Sequence, residues 1–220
     1  MRKQGKYFEY DYSENDEYLI DAIESKIREK APAILEWFEL KDLSSKKMLK
    51  IYNNLEEYKV NLIPYLGDDG RMYKPCMIAD TFDGNINMLN FELAKAPKES
   101  GVEDMEDFLI TPVHEFVHLC QKEISYDCTL DTWLWEGLAT NFAGQSWYKV
   151  NRIEASADEI QQLDVDPYSN GYTLVKYMLD TMPKEQILDY IRDSEKIDLP
   201  SLIDKTNEYL QQETAMQKNM

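Results

Sequence analysis

The amino-acid sequence predicts an α+β fold with a small antiparallel sheet and a helical C-terminal half. Two apolar, β-rich runs, CMIADTF (76–82) and NINMLNF (85–91), flank Asp83-Gly84, a dipeptide typical of two-residue hairpin turns. Beyond the hairpin the hydrophobic periodicity is mostly helical. Four segments have it most strongly: 131–148, 170–181, 184–193 and 200–212. Strands that precede a run of helices are typical of the α+β class.

The remaining segments alternate between helix and strand signals. The first helix has an acidic first turn after Ser13, and Leu19, Ala22, Ile23 and Ile27 form one apolar face. The predicted elements are a helix over 13–30, a second short helix that Pro32 opens and that runs to Phe38, a strand over 46–52, an Asn-capped helix over 53–66, a turn at 67–70 and a surface loop at 96–101.

Size and composition predict a globular chain. With 220 residues, of which 43% are hydrophobic, the chain can bury a sizeable core. We expect one domain over 1–220, with an N-terminal lobe of helices and sheet over 1–100 and a helical lobe over 101–220. The sequence does not indicate an oligomeric state.

Charge and hydropathy exclude two classes of partner and indicate a compartment. The formal net charge of −18 repels nucleic acid and anionic lipid, so we expect neither as a primary partner. No apolar run approaches the ~18 residues of a membrane span, and no apolar stretch follows the basic residues at the start. These features predict a cytoplasmic protein.

The three cysteines do not form a metal site in this reading. Cys76, Cys120 and Cys128 are odd in number and lack CxxC spacing, which is typical of a reducing compartment. We expect all three to be small buried hydrophobic residues.

The segment TPVHEFVHLCQK (111–122) contains the only two histidines of the chain. A helix places His114 and His118 on one face, one turn apart, so both imidazoles can reach one ion. Glu115 projects about 100° round from His114 and is better placed to hold a metal-bound water than to be a third ligand. The helix either begins at Thr111 and Pro112, or begins near Glu103 and bends at Pro112. Buried contacts are expected from Val113, Phe116, Val117 and Cys120.

A catalytic zinc site needs a third protein ligand, and with no histidine left it has to be a carboxylate. The candidate is Glu136, a charged residue inside the apolar helix DTWLWEGLATNFAGQ (131–145). Burial of that charge costs several kcal/mol (roughly) unless the carboxylate is paired or bound to a metal. Asp131 is the expected N-cap, and Gly137 permits another backbone to approach closely.

HEFVH followed by WLWEGLA resembles the gluzincin metallopeptidases of the peptidase MA clan, which include thermolysin-like proteins and the catalytic domain of M1 aminopeptidases. The resemblance spans roughly residues 50–195 and implies a thermolysin-like (zincin) catalytic domain. It implies that Zn²⁺ binds His114, His118 and Glu136, and that Glu115 is the general base. Seventeen residues separate His118 from Glu136, one fewer than in M1 enzymes, and a loop at 121–130 can absorb the difference.

Peptide hydrolysis also needs a donor for the oxyanion besides the metal. The segment DPYSNGYTLVKYMLD (166–180) resembles the stretch of M1 enzymes whose tyrosine has this role, which implies that Tyr168 is the donor. Arg152 is the alternative donor. Tyr172 and Tyr177 are expected in the core.

Two departures from the family limit the implied activity. The segment Gly84–Met88 lacks the glutamate with which M1 enzymes hold a substrate amino terminus, so an endopeptidase is favoured over an aminopeptidase. The segment can still be an edge strand that pairs with a peptide. Thr140 replaces the aspartate that orients a zinc histidine in thermolysin-like enzymes, and Asn141 is a possible substitute.

The sequence therefore predicts a zinc-dependent peptidase in which a zinc-activated water attacks a peptide or protein substrate, with Glu115 as general base and Tyr168 as oxyanion donor. The alternative is a catalytically impaired zinc-binding scaffold or peptide-binding domain of the same fold. A third possibility is a helical protein in which the histidine spacing is a coincidence. This last possibility predicts no stoichiometric zinc.

Overall fold

The computed structural model describes residues 1–66, 73–125, 131–162 and 165–218. The chain forms two compact units, Met1–Cys120 and Gln121–Met220. Strands occur in the first unit, while the described part of the second unit is helical, so the predicted α+β class is confirmed. The predicted turn at 67–70 lies outside the described residues. None of the described helices combines the length and the apolar character needed to cross a membrane.

The first unit is built on a five-stranded sheet with the spatial order β1-β2-β3-β5-β4. Its strands are β1 (Arg2–Gln4), β2 (Phe8–Asp11), β3 (Lys47–Tyr52), β4 (Ala79–Asp80) and β5 (Ile86–Leu89). β3 pairs in parallel with both β2 and β5, and the outer strands β1 and β4 pair antiparallel. The predicted antiparallel sheet is therefore wrong, because this sheet is mixed and has a parallel centre.

Helical crossovers explain the parallel centre of the sheet. α1 (Glu17–Trp37) connects β2 to β3, and α2 (Leu55–Leu66) follows β3 on the way to β4 and β5. A tight turn makes the next strand run in the opposite direction. A crossover of a dozen or more residues carries the chain back to the end of the sheet at which the previous strand began, so the next strand runs parallel to it. The hairpin signal in the sequence therefore describes only one edge of the sheet.

At that edge the hairpin is confirmed, although its strands are shorter than predicted. Asp80 on β4 lies opposite Asn87 on β5, and five residues connect the two strands instead of two. The Gly84 N–H donates to the Thr81 carbonyl at 2.9 Å, and Gly84 has a φ of +78°, which glycine adopts at little cost. Because β5 pairs with β3 and with β4, the predicted edge-strand role of Gly84–Met88 is wrong.

β1 and β2 are strands that the sequence patterns above do not predict. Along β2 the side chains of Phe8 and Tyr10 are completely buried, and the residues between and after them are partly exposed. The Tyr10 hydroxyl donates to Glu24 on α1 at 2.6 Å, and Arg28 donates to the same carboxylate. This buried contact attaches α1 to the sheet.

α1 is one continuous helix, so the predicted second helix beginning at Pro32 is wrong. A proline inside a helix removes one backbone hydrogen bond, here the bond that residue 32 would donate to Arg28. The apolar face continues across this position, because Ile27, Ala31 and Ile34 are all buried. Burial of that uninterrupted face compensates for the missing bond. The predicted apolar residues Leu19, Ile23 and Ile27 are buried as expected.

The other predictions for the first unit fare as follows. The strand over 46–52 is confirmed as β3, and the Asn cap is confirmed because Asn54 accepts hydrogen bonds from the N–H groups of Glu56 and Glu57. α3 (Phe91–Lys95) precedes the predicted loop, in which Lys98–Ser100 form a short 3-10 helix.

Cys120 is buried, but Cys76 is exposed in a turn before β4, so the predicted burial of Cys76 is wrong. Cys128 lies outside the described residues.

α4 (Met105–Ile124) crosses the boundary between the units, and the helices of the second unit follow it. They are α5 (Thr132–Ala143), α6 (Ala157–Gln161), α7 (Pro167–Thr181), α8 (Lys184–Arg192) and α9 (Leu199–Lys218). The four helical segments predicted from periodicity are confirmed, but α5 ends earlier than expected. It stops at Gly144, whose φ of +82° is typical of a helix C-terminus.

Candidate metal centre

The motif HEFVH lies in the middle of α4. The helix begins after Asp104, whose carboxylate accepts hydrogen bonds from the N–H groups of Glu106 and Asp107 at 2.8 and 3.1 Å. Of the two predicted beginnings, the one near Glu103 is therefore right, and the one at Thr111 and Pro112 is wrong. Pro112 lies inside the helix, two residues before His114.

One face of α4 is fixed against the sheet by apolar side chains. Val113, Phe116, Val117 and Cys120 are all buried, as the sequence predicts. The Phe116 ring makes edge contacts with Tyr7 and Phe8, at centroid distances of 5.4 and 6.1 Å. Because Phe116 lies between the two histidines in sequence, these contacts set the rotation of α4 about its axis and so the direction of His114 and His118.

The structure brings His114, Glu115 and His118 together inside the first unit. A nitrogen of each imidazole and a carboxylate oxygen of Glu115 lie within 4.8 Å of one another. The centroids of the two imidazole rings are 4.7 Å apart, and the interplanar angle is 86°. All three side chains are buried, with exposed fractions of 7%, 7% and 3%. Three titratable groups are thus concentrated in one largely apolar region.

This donor set fits a divalent transition metal such as zinc. Imidazole nitrogens and carboxylate oxygens bind zinc at about 2.0–2.2 Å, so two ligands of one tetrahedral ion lie about 3.3 Å apart. Donor atoms that lie within 4.8 Å of one another need only small side-chain rotations to meet that geometry. The Glu115 oxygen lies within the same 4.8 Å, so it can contact either an ion or a water beside it.

Tyr58 and Asp80 are functional candidates that the sequence motifs do not indicate. Tyr58 is completely buried on α2, and burial raises its pKa well above the usual value, with further increases from the charges of Asp80 and Glu115. Burial also raises the pKa of Asp80 to about 6, although its carboxylate accepts hydrogen bonds from Phe82 N–H and the Asn87 side chain. Neither residue belongs to a local pattern, so no sequence signal identifies them.

The predicted third ligand, Glu136, lies on α5 in the second unit and is half-buried. Gly137 beside it permits the close approach that the sequence predicts: a Cβ at this position would lie 2.4 Å from the carbonyl oxygen of Gly171 on α7. Asp131 occupies the N-cap position, but its side chain accepts a hydrogen bond from Ser194 instead of capping the helix. Asp131 is therefore the N-cap residue, as predicted, but its side chain makes no capping hydrogen bond.

Thr140 and Asn141, the residues discussed as supports of a zinc histidine, both bond to backbone carbonyls. The Thr140 hydroxyl donates to the carbonyls of Glu136 and Gly137 at 2.8 and 3.1 Å. The Asn141 amide donates to the carbonyls of Gly137 and Tyr172 at 2.7 and 2.9 Å. Both side chains therefore stabilise the segment of α5 that carries Glu136.

Tyr168, the predicted oxyanion donor, lies in the first turn of α7. Asp166 caps this helix by accepting hydrogen bonds from the N–H groups of Tyr168 and Ser169. The Tyr168 ring stacks on Tyr148 with the centroids 5.4 Å apart. The catalytic role of Tyr168 and the metal-binding role of Glu136 stay predictions.

The other candidate donors in the second unit are placed as follows. Tyr172 is buried, which confirms its predicted place in the core. Tyr177 is half-buried and makes an edge contact with Tyr209 at 5.5 Å. Arg152 is exposed.

Comparisons with known proteins do not assign the chain to a family. A scan against protein-family models gives no match, and a search of curated proteins gives no significant relative.

Proposed function

We propose that the protein is a zinc-dependent peptidase. The observation that supports this most strongly is the convergence of His114, Glu115 and His118 within 4.8 Å in a buried setting. Titratable groups brought together in a buried setting are typical of sites that bind a cation or move protons. Along the chain the motif HEFVH is followed by WLWEGLA. This order resembles that of the gluzincin metallopeptidases, and the resemblance supports the same proposal.

The residues have distinct roles in the proposal. His114 and His118 hold the metal, and Glu136 supplies the third ligand. A bound zinc ion would supply Lewis acidity and lower the pKa of a water molecule towards ~7. Glu115 accepts the proton of the attacking water and returns it to the leaving amine. Tyr168 donates a hydrogen bond to the oxyanion.

The proposed substrate is a peptide or protein that is cleaved internally. The segment Gly84–Met88 has no glutamate that could bind the free amino terminus of a substrate. An endopeptidase is therefore proposed in preference to an aminopeptidase. The net charge of −18 disfavours nucleic acid and anionic membranes as partners.

The experiment that tests the proposal replaces Glu115 with Gln. Purified protein is assayed for zinc by elemental analysis and for hydrolysis of a diverse peptide library. The expected result is one zinc ion per chain in both proteins, with hydrolysis by the wild type and none by Glu115→Gln. Glu106→Gln is the matched control, because Glu106 is exposed on the same helix and its carboxylate forms a surface ion pair with Lys26.

The other outcomes separate the alternatives. If Glu115→Gln also loses zinc, Glu115 is a ligand and its role as base is wrong. Stoichiometric zinc without turnover by the wild type would indicate a zinc-binding scaffold. The absence of bound zinc would mean that the histidine spacing is a coincidence.

A further inference from the structure

The turn between β4 and β5 brings two carboxylates against one amide group. Asp80 on β4 lies opposite Asn87 on β5, and Asp83 lies in the segment that connects the two strands. The Asn87 amide nitrogen donates to Asp80 Oδ1 at 3.3 Å and to Asp83 Oδ1 at 3.2 Å. Three side chains that carry oxygen atoms therefore meet at this edge of the sheet, and we call them the turn cluster.

The negative charges of the turn cluster are opposed by neutral donors. The hydrogen bonds that described residues donate to the two carboxylates come from Phe82 N–H, Asn85 N–H and the Asn87 amide. Lys50 on β3 lies opposite Asn87, but its ammonium group lies over the Tyr52 ring, 4.2 Å from the centroid. Burial raises the pKa of Asp80 to about 6, and the charge of Asp83 adds to the increase. A cation between the carboxylates would relieve this repulsion.

An independent observation points to a bound group at the same place. Two buried side-chain oxygens make no hydrogen bond within the described part of the chain, namely Asp80 Oδ2 and the hydroxyl oxygen of Tyr58 on α2. Asp80 is only 5% exposed, and Tyr58 is completely buried. The phenol and the carboxylate are close enough for each to shift the pKa of the other. Buried polar atoms nearly always have a partner, so unsatisfied oxygens beside two carboxylates indicate an ion.

The spacing of the turn cluster fits the coordination of Ca²⁺. This ion takes oxygen ligands at about 2.3–2.6 Å, so neighbouring ligands lie about 3–3.5 Å apart. The distances of 3.2 and 3.3 Å between the Asn87 amide and the two carboxylates lie in this range. A half-turn about the last torsion of Asn87 places the amide oxygen where the nitrogen lies, and this torsion is roughly two-fold. The three side chains then present three oxygens to one ion.

We propose that Asp80, Asp83 and Asn87 bind Ca²⁺ at the turn between β4 and β5. Asp80 contributes the buried oxygen that has no hydrogen-bond partner, and Asn87 contributes its amide oxygen. Asp83 is exposed, so water molecules can complete the coordination on its side. These ligands are hard oxygens, whereas the motif HEFVH offers imidazoles, which suit zinc. The inference is therefore independent of the proposed peptidase function.

The first test is calorimetric titration of the purified full-length protein with Ca²⁺ at neutral pH. We expect one ion per chain with a Kd on the order of 10⁻⁴–10⁻³ M, because only two carboxylates contribute charge. Mg²⁺ should bind at least ~10-fold more weakly, since it requires near-ideal octahedral geometry. Ca²⁺ should also raise the Tm, because a ligand of the folded state opposes unfolding.

Asp83→Asn tests the ligand assignment with little disturbance of the fold. Asp83 is exposed, and asparagine keeps an oxygen that can accept the hydrogen bond from Asn85 N–H. We expect Ca²⁺ to bind at least ~10-fold more weakly and to leave the Tm unchanged, since affinity follows the charge of the ligands. Asp80→Asn should have the same effect. The matched control is Asp21→Asn, at an exposed position of α1, which should bind Ca²⁺ as the wild type does.

The other outcomes overturn the proposal in different ways. A wild type that binds no Ca²⁺ would show that the turn cluster is held by its hydrogen bonds alone. Equal binding by the wild type, Asp83→Asn and Asp80→Asn would place the ion elsewhere on the acidic surface. Tighter binding of Mg²⁺ would overturn the choice of Ca²⁺. Glu115→Gln should bind Ca²⁺ normally, so failure of the peptidase proposal does not affect this result.

Discussion

Gly137 on α5 and Gly171 on α7 bring two helix backbones into direct contact. A Cβ on Gly137 would lie 2.4 Å from the Gly171 carbonyl oxygen, and a Cβ on Gly171 would lie 2.2 Å from the Trp133 carbonyl oxygen. No side chain fits between the helices at this point. The contact follows directly after Glu136, so the same pair of glycines fixes the part of α5 that carries the proposed third ligand.

Gly137→Ala should destabilise the protein, because the new methyl group collides with backbone that cannot move aside. We expect a loss of about 3 kcal/mol in the free energy of unfolding, the upper part of the range for overpacked cores. Denaturant unfolding followed by circular dichroism measures it.

Gly144→Ala is the control for this steric argument. Gly144 ends the same helix at a φ of +82°, and a Cβ there would meet no atom within 4 Å. Its cost is the left-handed backbone alone, about 1–2 kcal/mol. Equal losses in the two variants would contradict a steric origin at Gly137.

Glu136→Gln should release the metal, since the proposal makes this carboxylate the third ligand. Loss of an outer-shell partner already weakens metal affinity by about 10–100-fold, so loss of a ligand should weaken it by more than ~100-fold. Competition with a zinc-sensitive chelator gives the affinity. Glu185→Gln, an exposed acid in the first turn of α8, is the control. Unchanged zinc affinity in Glu136→Gln would refute the assignment.

Asp80 should make the protein less stable as the pH rises. An aspartate titrates near ~3.9 in an unfolded chain, whereas burial raises the pKa of Asp80 to about 6 in the folded protein. Between these pH values the folded state binds more protons than the unfolded chain, so the free energy of unfolding falls with increasing pH. The shift corresponds to about 3 kcal/mol, which is fully lost above the folded pKa.

Asp80→Asn removes this dependence. In the presence of a chelator, the variant should match the wild type near pH 4 and exceed its stability above pH 6. Asp204→Asn, which alters an exposed acid, should follow the wild-type curve. Parallel curves for wild type and Asp80→Asn would show that Asp80 does not titrate in this range.

Tyr10→Phe should weaken the attachment of α1 to the sheet. The Tyr10 hydroxyl is buried and donates to Glu24 at 2.6 Å. Burial raises the pKa of Glu24, but the hydrogen bonds from Tyr10, Lys6 N–H and Arg28 outweigh it and lower the pKa overall. Hydrogen bonds to charged groups contribute about 1.5–3 kcal/mol, so we expect a loss at the lower end of that range. Tyr18→Phe, at an exposed position on α1, should be neutral.

Local patterns predicted the elements whose signal is contained in a few neighbouring residues. The helical spacing of His114 and His118, the Asn54 cap and the reversal of the chain near Gly84 are of this kind, and each is present in the structure, although five residues and not two connect the strands at Gly84. The sequence also predicts the close approach of another backbone at Gly137, because this glycine lies beside a charged residue in an apolar helix.

The features that sequence patterns missed depend on contacts between distant segments. The alternation of Phe8 and Tyr10 covers only four residues, too few to identify a strand before its partner β3 is known. The direction of the central strands β2, β3 and β5 depends on the helical crossovers between them and not on the hairpin of β4 and β5. Tyr58 and Asp80 belong to α2 and β4, and only folding brings these two residues together.

The contacts of Phe116 with Tyr7 and Phe8 have a practical consequence for expression of shorter polypeptides. A recombinant fragment that starts after Tyr12 retains HEFVH but lacks the two aromatic rings against which this helix is seated. In this fragment Phe116 would contact solvent or other residues in place of the two rings. The two imidazoles would then no longer be held in the same direction. We therefore expect the proposed metal binding by His114 and His118 to depend on the opening dozen residues as well.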